Sequence, residues 1–262
     1  YFIRHSAGLG KSPREKDPDI YDHKYIHCDV LVVGAGIAGI LAAKNAAKNN
    51  LKTLLVDEKN ELGGATIYQN REFNKIENQS SSDWLKKEIQ GLKDMENLEV
   101  KTRTSVAAYH GYNYLLAREN LTDHLEKKYK QGKIRQRLLK IRAKKVILAT
   151  GALERPLIFN NNDRPGIMLS SAVKKYADFY GVICGQKTVF FTNNDSAYES
   201  ALCLHNKGIK VEAIIDIRDN SDSKIVKAVE DAGIKVYWSH TVVDTSGYKR
   251  LKNISVMKLS ND

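Results

Sequence analysis

"HCDVLVVGAGIAGILAAKNAAKNNLKTLLVDEKNELGGA", residues 27–65, sets an apolar run ahead of a glycine cluster, an Ala-rich segment and a second apolar run that stops at Asp57. A continuous Val/Leu stretch reads as a strand buried on both faces, and the Ala-rich segment reads as a helix. Together they predict a complete β-α-β unit with parallel strands. Gly34, Gly36 and Gly39 stand at G-x-G-x-x-G spacing between strand and helix. The first glycine permits the tight turn, the second lets backbone N–H groups approach a pyrophosphate, and the third lets helix and strand pack closely. Ile37 and Ala38 fall in the first helical turn, where free N–H groups and the helix dipole favour an anion.

The strand before the glycines, the helix after them and an acid at the end of the next strand turn a weak motif into a dinucleotide signal. Asp57 follows Gly39 by 18 residues. A carboxylate there accepts hydrogen bonds from ribose hydroxyls and repels a 2′-phosphate, so NAD or the ADP half of FAD is favoured over NADP. Glu58 can share that role. "ELGG", with Gly63 and Gly64, predicts a second close-approach turn, and "VILATGA", with Thr150 and Gly151, a third. The local chemistry admits NAD and FAD alike.

Outward from this unit, residues 1–27 are rich in Gly, Pro and charge and read as an extended connector. Ser81, Ser82 or Asp83 is expected to cap a helix, and "NLEVKTRTSVAAYHGYNYLLARE" to form strands turning at His110-Gly111. "ERPLIFNNNDRPGI" holds two of the four prolines and marks a boundary. Beyond it come a helix over 170–180, the stretch "KTVFFTNNDSAYESALCLHNKGIKVEAIID", a helix over 223–231 and strands in "IKVYWSHTVVD" and "KNISVMKLSND". The expected architecture is α/β: two Rossmann-like three-layer domains of the two-dinucleotide-domain type. The connector covers 1–27, an NAD-binding domain with a strand-rich insertion 28–158, and a second, truncated domain 159–262.

The second β-α-β unit repeats the rhythm of the first without its glycines, reading Asn193, Asn194, Asp195, Ser196, Ala197, Tyr198. Asn tolerates the left-handed backbone a glycine would adopt, so the turn can form. Its side chains and the Asp195 charge nevertheless crowd a pyrophosphate, so this unit is expected to keep the fold without the ligand. Asp216 ends its second strand as Asp57 ends the first.

Composition narrows the class. The net charge of +11 raises nucleic acid as a partner. The main basic run, residues 126–145, is interrupted by Ile134, Leu138, Leu139 and Ile141, as in an amphipathic helix-to-strand passage with a solvated outer face. No nucleic acid is therefore expected. Cys28, Cys184 and Cys203 are odd in number and far apart, which fits reduced thiols in a cytoplasmic protein, and no Cys/His spacing suggests a metal. No apolar run is long enough to cross a membrane. The chain opens without Met or an apolar leader and reads as an internal piece of a soluble protein. Flavin disulfide reductases carry a cysteine pair shortly after the "LGG" turn; "ATIYQNREF" has none, so thiol chemistry is not expected there. Tyr112, Tyr114, His110 and His240 read as core, rim or surface residues.

The strings "AGLGKSPREKDPDIYDHKYIHCDVLVVGAGIAG", "VDEKNELGG", "RQRLLKIRAKKVILATGALERPLIFNNNDRPGIM" and "VFFTNNDSAYESAL" resemble the alpha subunits of heterotetrameric sarcosine oxidases over nearly the whole chain. "ERPLIFNNNDRPGIM" and "TNNDSAY" carry this far more specifically than the glycines do. The resemblance implies that this region binds NAD, with FAD, FMN and tetrahydrofolate elsewhere in a complex that includes beta, gamma and delta subunits. The implied reaction is oxidative demethylation of the small-molecule substrate sarcosine to glycine. No amine-oxidising residue transfers to this sequence. The nucleotide contacts implied are Gly34, Gly36, Gly39, Asp57, Glu58, Gly63, Gly64, Thr150 and Gly151, with Ile37 standing where relatives often have Pro. An FAD-binding subunit of a related amine or opine dehydrogenase and a non-catalytic assembly scaffold with a structural nucleotide are the competing readings.

Overall fold

The computed structural model describes residues 2–8, 10, 14–68 and 75–260. The "QNREF" half of the stretch after the "LGG" turn lies outside them. The helices are α1 (Phe2–Ser6), α2 (Ile37–Lys48), α3 (Ser81–Lys93), α4 (Lys127–Lys130), α5 (Ser170–Asp178), α6 (Ser196–Asn206) and α7 (Lys224–Asp231). The strands of the first part are β1 (Ile20–Val33), β2 (Thr53–Val56), β3 (Lys75–Ile76), β4 (Gln79–Ser80), β5 (Leu98–Lys101), β6 (Thr104–His110), β7 (Tyr114–Asn120) and β8 (Ile134–Leu148). Those of the second are β9 (Lys187–Thr192), β10 (Lys210–Asp216), β11 (Val236–Tyr237), β12 (His240–Ser246) and β13 (Asn253–Lys258).

The chain divides into two compact units, residues 1–62 with 89–150, and residues 63–88 with 151–262. The boundary expected at 158/159 therefore falls at 150/151, and the segment 63–88 joins the second unit. The reason is visible in the supposed linker. The Glu154 carboxylate accepts hydrogen bonds from the N–H groups of Ser170 and Ser171, capping α5 from 16 residues upstream. Asn161 donates to Asp244, and Leu251 N–H donates to the Pro165 carbonyl. The Pro- and Asn-rich segment is stitched into the second unit.

In the first unit the strands form one sheet in the order β5-β2-β1-β8-β7-β6. Strands β5, β2, β1 and β8 pair in parallel, and β7 and β6 add antiparallel. The quoted apolar strands are its centre: Leu31, Val32, Leu55 and Val56 are fully buried. Ile40, Ala43 and Ala47 of α2 are buried, the small side chains letting the helix lie close. The second unit has a three-stranded parallel sheet, order β11-β10-β9, and two separate hairpins, β3-β4 and β12-β13. Its core gathers Tyr198, Ala201, Ile214, Val226 and Val229 between that sheet and helices α6 and α7. The single strand expected over 234–244 is broken into β11 and β12 at Ser239, whose φ of +53° no continuous strand permits.

Two expectations change at the amino end and at α3. Residues 2–6 are helical, and residues 20–27, assigned by sequence to the connector, extend β1 and pair with β8 from Ile20 onward. Alternating acids and bases make the join. Arg135 bridges Asp19 and Asp123, Arg137 bridges Asp22 and Glu119, and Lys144 meets Asp29. The basic run thus becomes a short helix followed by a 15-residue strand in which Arg135 and Arg137 are paired with carboxylates. At α3 the cap is Ser80, whose hydroxyl oxygen accepts from Asp83 N–H at 3.1 Å, one position ahead of the residues expected.

These pairs tie the amino-terminal strand to pH. The Arg137 guanidinium holds the Asp22 carboxyl below the usual carboxylate range, Lys144 does so for Asp29, and Arg135 for Asp123. Because their folded values are depressed, the stabilisation is present above the unfolded carboxylate value of about 4 and is lost as pH falls through the folded values. Amide exchange, corrected for intrinsic rates, should show residues 20–27 losing protection between about pH 5 and about pH 2 before the central strand β2 does. Equal loss in both strands would contradict this assignment.

Candidate dinucleotide site

Strand β1 ends at Val33 and the chain turns at Gly34, whose φ of +98° is open to glycine and strained for other residues. Gly34 N–H donates to the Val56 carbonyl and Ala149 N–H to the Val33 carbonyl, so the turn is held by both neighbouring strands. A Cβ on Gly34 would overlap the Ala149 carbonyl, and one on Gly39 would overlap the Gly34 carbonyl oxygen. The glycines at 34 and 39 are therefore packing requirements. Gly36 differs. It has φ −73° and occupies the position just before the first turn of α2, and a Cβ there would meet nothing within 4 Å. No side chain caps the amino end of α2, Ile37 is half-buried and Ala38 is exposed. An open Cβ direction beside an uncapped helix end is the arrangement that admits a phosphate.

The acids divide their roles in a way the sequence does not reveal. Asp57 Oδ2 accepts the Ala35 N–H at 2.6 Å and Oδ1 accepts the Lys59 N–H at 2.8 Å. The carboxylate is thus tied to the glycine turn and to the turn after β2. Glu58 is exposed, and no described residue pairs with its carboxylate. Thr150 follows β8 and is also exposed. Gly63 and Gly151 belong to the second unit, with φ of +124° and +72°. A Cβ on Gly63 would overlap Leu85, whereas one on Gly151 would meet nothing. Gly64, φ +58°, opens a 3-10 turn over Gly64–Tyr68.

The glycine-poor turn of the second unit is filled by its own side chains. Asn194 Oδ1 accepts from both the N–H and the hydroxyl of Ser196, so an amide oxygen sits on the amino end of α6. Thr192 Oγ1 accepts the Asn194 N–H and donates to its carbonyl. Asp216, fully buried, accepts from Tyr198 OH at 2.8 Å and from Arg218 Nη2 at 2.7 Å. Arg218 also bridges to Asp195 at 2.8 Å. Burial opposes the Asp195 charge, but Ser223 and Arg218 outweigh it and leave its carboxyl below the usual range. The Asp216 carboxylate raises the affinity of Arg218 for its proton; burial and Asp216 do the same for Tyr198. Tyr198 and Trp238 stack at 6.1 Å, and Arg218 lies 6.0 Å from each ring. Asp216 ends its strand as the sequence pattern implies, and Tyr198 belongs to the turn that pattern marks; Arg218 and Trp238 join them only in the fold, the one available signal being the Arg two residues after the acid.

Two of the three cysteines are suppressed. Burial pushes the Cys28 thiol up to about 11, and burial together with Asp178 pushes Cys203 up to about 12. Such thiols stay protonated near neutrality and make poor nucleophiles. Among the described residues no group of three or more His, Cys, Asp or Glu could hold a metal ion. No described helix is long and apolar enough to cross a membrane.

Residues 28–261 match the family model described as pyridine nucleotide-disulphide oxidoreductase. The chain belongs to that family. It is also 40% identical over 257 residues to the sarcosine oxidase subunit alpha of Corynebacterium sp. (strain P-1), covering 97% of this chain and 26% of that protein. The subunit of the same name from Rhizobium meliloti (strain 1021) is 38% identical over 216 residues, covering 82% of this chain and 22% of that protein. The chain thus spans about a quarter of the length of these relatives. The crystal structure of L-proline dehydrogenase from P. horikoshii is similar in fold, with a TM-score of 0.61 and 22% identity, over 90% of this chain and 41% of that one. The α/β class and an oxidoreductase family follow from these matches.

Gly36 and Gly39 should separate by mutation. Gly39→Ala forces a methyl into the Gly34 carbonyl, and we expect it to cost more than about 3 kcal/mol or abolish folding. Gly36→Val enters open space and should leave the melting temperature within about 2 °C while lowering nucleotide affinity by about tenfold or more. Thermal melts with and without nucleotide check both. Arg218→Ala leaves buried Asp216 short of its cation and should cost about 3 kcal/mol by denaturant titration, with no dinucleotide bound along 192–198 in variant or parent; a second dinucleotide there would contradict the reading of that turn.

Proposed function

We propose that this chain is the nucleotide-binding part of a multi-subunit sarcosine oxidase, that its first glycine turn holds NAD, and that it does not itself oxidise the amine. The supporting observation is the contrast between the two turns. At Gly36 an uncapped helix end faces open space, whereas at Asn194 the equivalent end is covered by its own side chain. The names of the relatives support the overall reaction, oxidative demethylation of sarcosine to glycine, and a complex with further subunits. In such a complex FAD, FMN and tetrahydrofolate would be carried outside these residues.

The donor set at the first turn suits a dinucleotide. The N–H groups at Ile37 and Ala38 would receive the pyrophosphate, and Glu58 would take the ribose hydroxyls. Asp57, whose oxygens both accept backbone N–H groups, acts as the residue that holds the turn in place. Thr150, at the end of β8, would line the same side of the sheet. When bound, NAD supplies a nicotinamide able to accept hydride; the protein's own part is to bind and orient the dinucleotide. Glu58→Gln should weaken binding with little effect on stability, because its carboxylate is exposed. Asp57→Asn should lower both, because an amide cannot accept two N–H groups through its two ends.

The identity of the nucleotide is the deciding measurement. Denaturing the natively purified protein and analysing the supernatant by absorbance and mass should yield NAD assignable to this chain. FAD lost stoichiometrically on Gly36→Val would instead support the FAD-binding subunit of an amine or opine dehydrogenase. Turnover that survives in an assembled Gly36→Val complex would support a structural role for the nucleotide. Peroxide production from sarcosine by these residues alone would overturn the assignment of amine oxidation to other parts.

A further inference from the structure

The outer face of the β1-β8-β7 sheet carries positive charge that no carboxylate among the described residues neutralises. Along β8 the inward side chains Leu139 and Ile141 are buried, as are Ile26 on β1 and Leu115 and Ala117 on β7. Strand alternation turns the intervening positions outward. Register places Lys140 between Tyr25 and Leu116, and Arg142 between His27 and Tyr114. The outward positions over 21–27, 136–142 and 114–120 contain no Asp or Glu. Arg118 is exposed on the same face, cross-strand from Leu138.

The contrast within one strand is sharp. On β8 Arg135 and Arg137 each bridge two carboxylates. Lys140 instead donates to Tyr25 OH at 3.3 Å and lies 4.9 Å over its ring. Arg142 donates to the Tyr112 carbonyl at 3.1 Å and lies 5.1 Å over the Tyr114 ring. Among the described residues Lys140, Arg142 and Arg118 have no carboxylate partner, in a chain of net charge +11.

We propose that this face is the docking surface for an acidic polypeptide, whose Asp and Glu side chains complete the pairing of Lys140, Arg142 and Arg118. Two observations favour a polypeptide over single-stranded nucleic acid. Nucleic acid uses free aromatic faces as stacking platforms, and here the Tyr25 and Tyr114 rings each already carry a cation. Half-buried Leu116 and Leu138 lie among Tyr and Arg, a mixture that suits the apolar centre and charged margin of a protein interface. Charge complementarity of this kind raises association rate and selects the partner. The proposal is independent of which nucleotide occupies the glycine turn.

Lysine footprinting on the natively purified assembly tests it without a variant that could misfold. Acetylation of Lys140 should be at least about fivefold slower in the assembly at low salt than after dissociation in about 1 M salt, since exposed charge pairs are screened there. Exposed Lys48 and Lys52 serve as controls and should change little. Carbodiimide, which joins an amine to a carboxylate in direct contact, should link Lys140 to an Asp or Glu of a second polypeptide. Labelling of Lys140 at an unchanged rate would overturn the proposal. So would a link only to a carboxylate of its own chain, or protection abolished by nuclease, which would assign the face to nucleic acid.

Discussion

The structure of the first unit depends on one close approach, that of α2 to the turn after β1. The Gly34 carbonyl oxygen occupies the space in which any side chain at position 39 would sit. Helix and turn therefore meet backbone to backbone. This contact fixes where α2 begins, and with it the direction of its free N–H groups and the position of Gly36 over open space. Asp57 completes the arrangement by accepting the Ala35 N–H, so the acid at the end of β2 and the turn at the end of β1 hold one another. Burial of Leu31, Val32, Leu55 and Val56 supplies the bulk of the driving force, but it is not directional. The glycine contact and the Asp57 bond give the site its geometry.

The second unit shows what happens to the same scaffold when those constraints are exchanged. In both units the strand-ending acid uses one oxygen to accept the N–H two residues ahead, Lys59 in the first and Arg218 in the second. The other oxygen differs. In the first unit it takes a backbone N–H of the turn; in the second it takes the Tyr198 hydroxyl and, through half-buried Arg218, links the buried acid to Asp195. A network of this kind is costly to break once any member is removed. Side-chain bonds from Asn194 and Asp195 thus stabilise a turn that in the first unit is stabilised by glycine packing and kept open. The repeated strand, helix and strand are one design with two ways of closing the turn.

The chain's charge is organised by the sheet. On one side of β8 basic residues meet acids from residues 19, 22, 119 and 123, binding the amino-terminal strand to the sheet. On the other side cations lie over tyrosine rings and face outward. A strand of alternating direction turns one basic run into a structural seam and an exposed surface, which composition alone cannot distinguish.

The β-α-β rhythm, the glycine spacing and the strand-ending acids were legible in the sequence, because apolar periodicity and glycine geometry act over a few residues at a time. Helices α2, α5, α6 and α7 lie where the pattern put them. What the sequence could not supply were the pairings made over long separations. Residues 20–27 join a strand more than a hundred residues away, which their charged, Pro-containing neighbourhood conceals. The Asn- and Pro-rich segment 154–167 becomes part of the second unit through Glu154, Asn161 and Pro165. Asp57 and Glu58 are adjacent carboxylates, and spacing favours Asp57 for the ribose with Glu58 able to share the role or simply be solvated. Only the folded turn, which brings the Ala35 N–H to one of them, assigns Asp57 to the backbone and leaves Glu58 exposed. Local chemistry wrote the elements and the candidate ligand class; tertiary contacts decided which polar groups remain available, since a hydrogen-bond donor or acceptor is free only when the rest of the fold has not already used it.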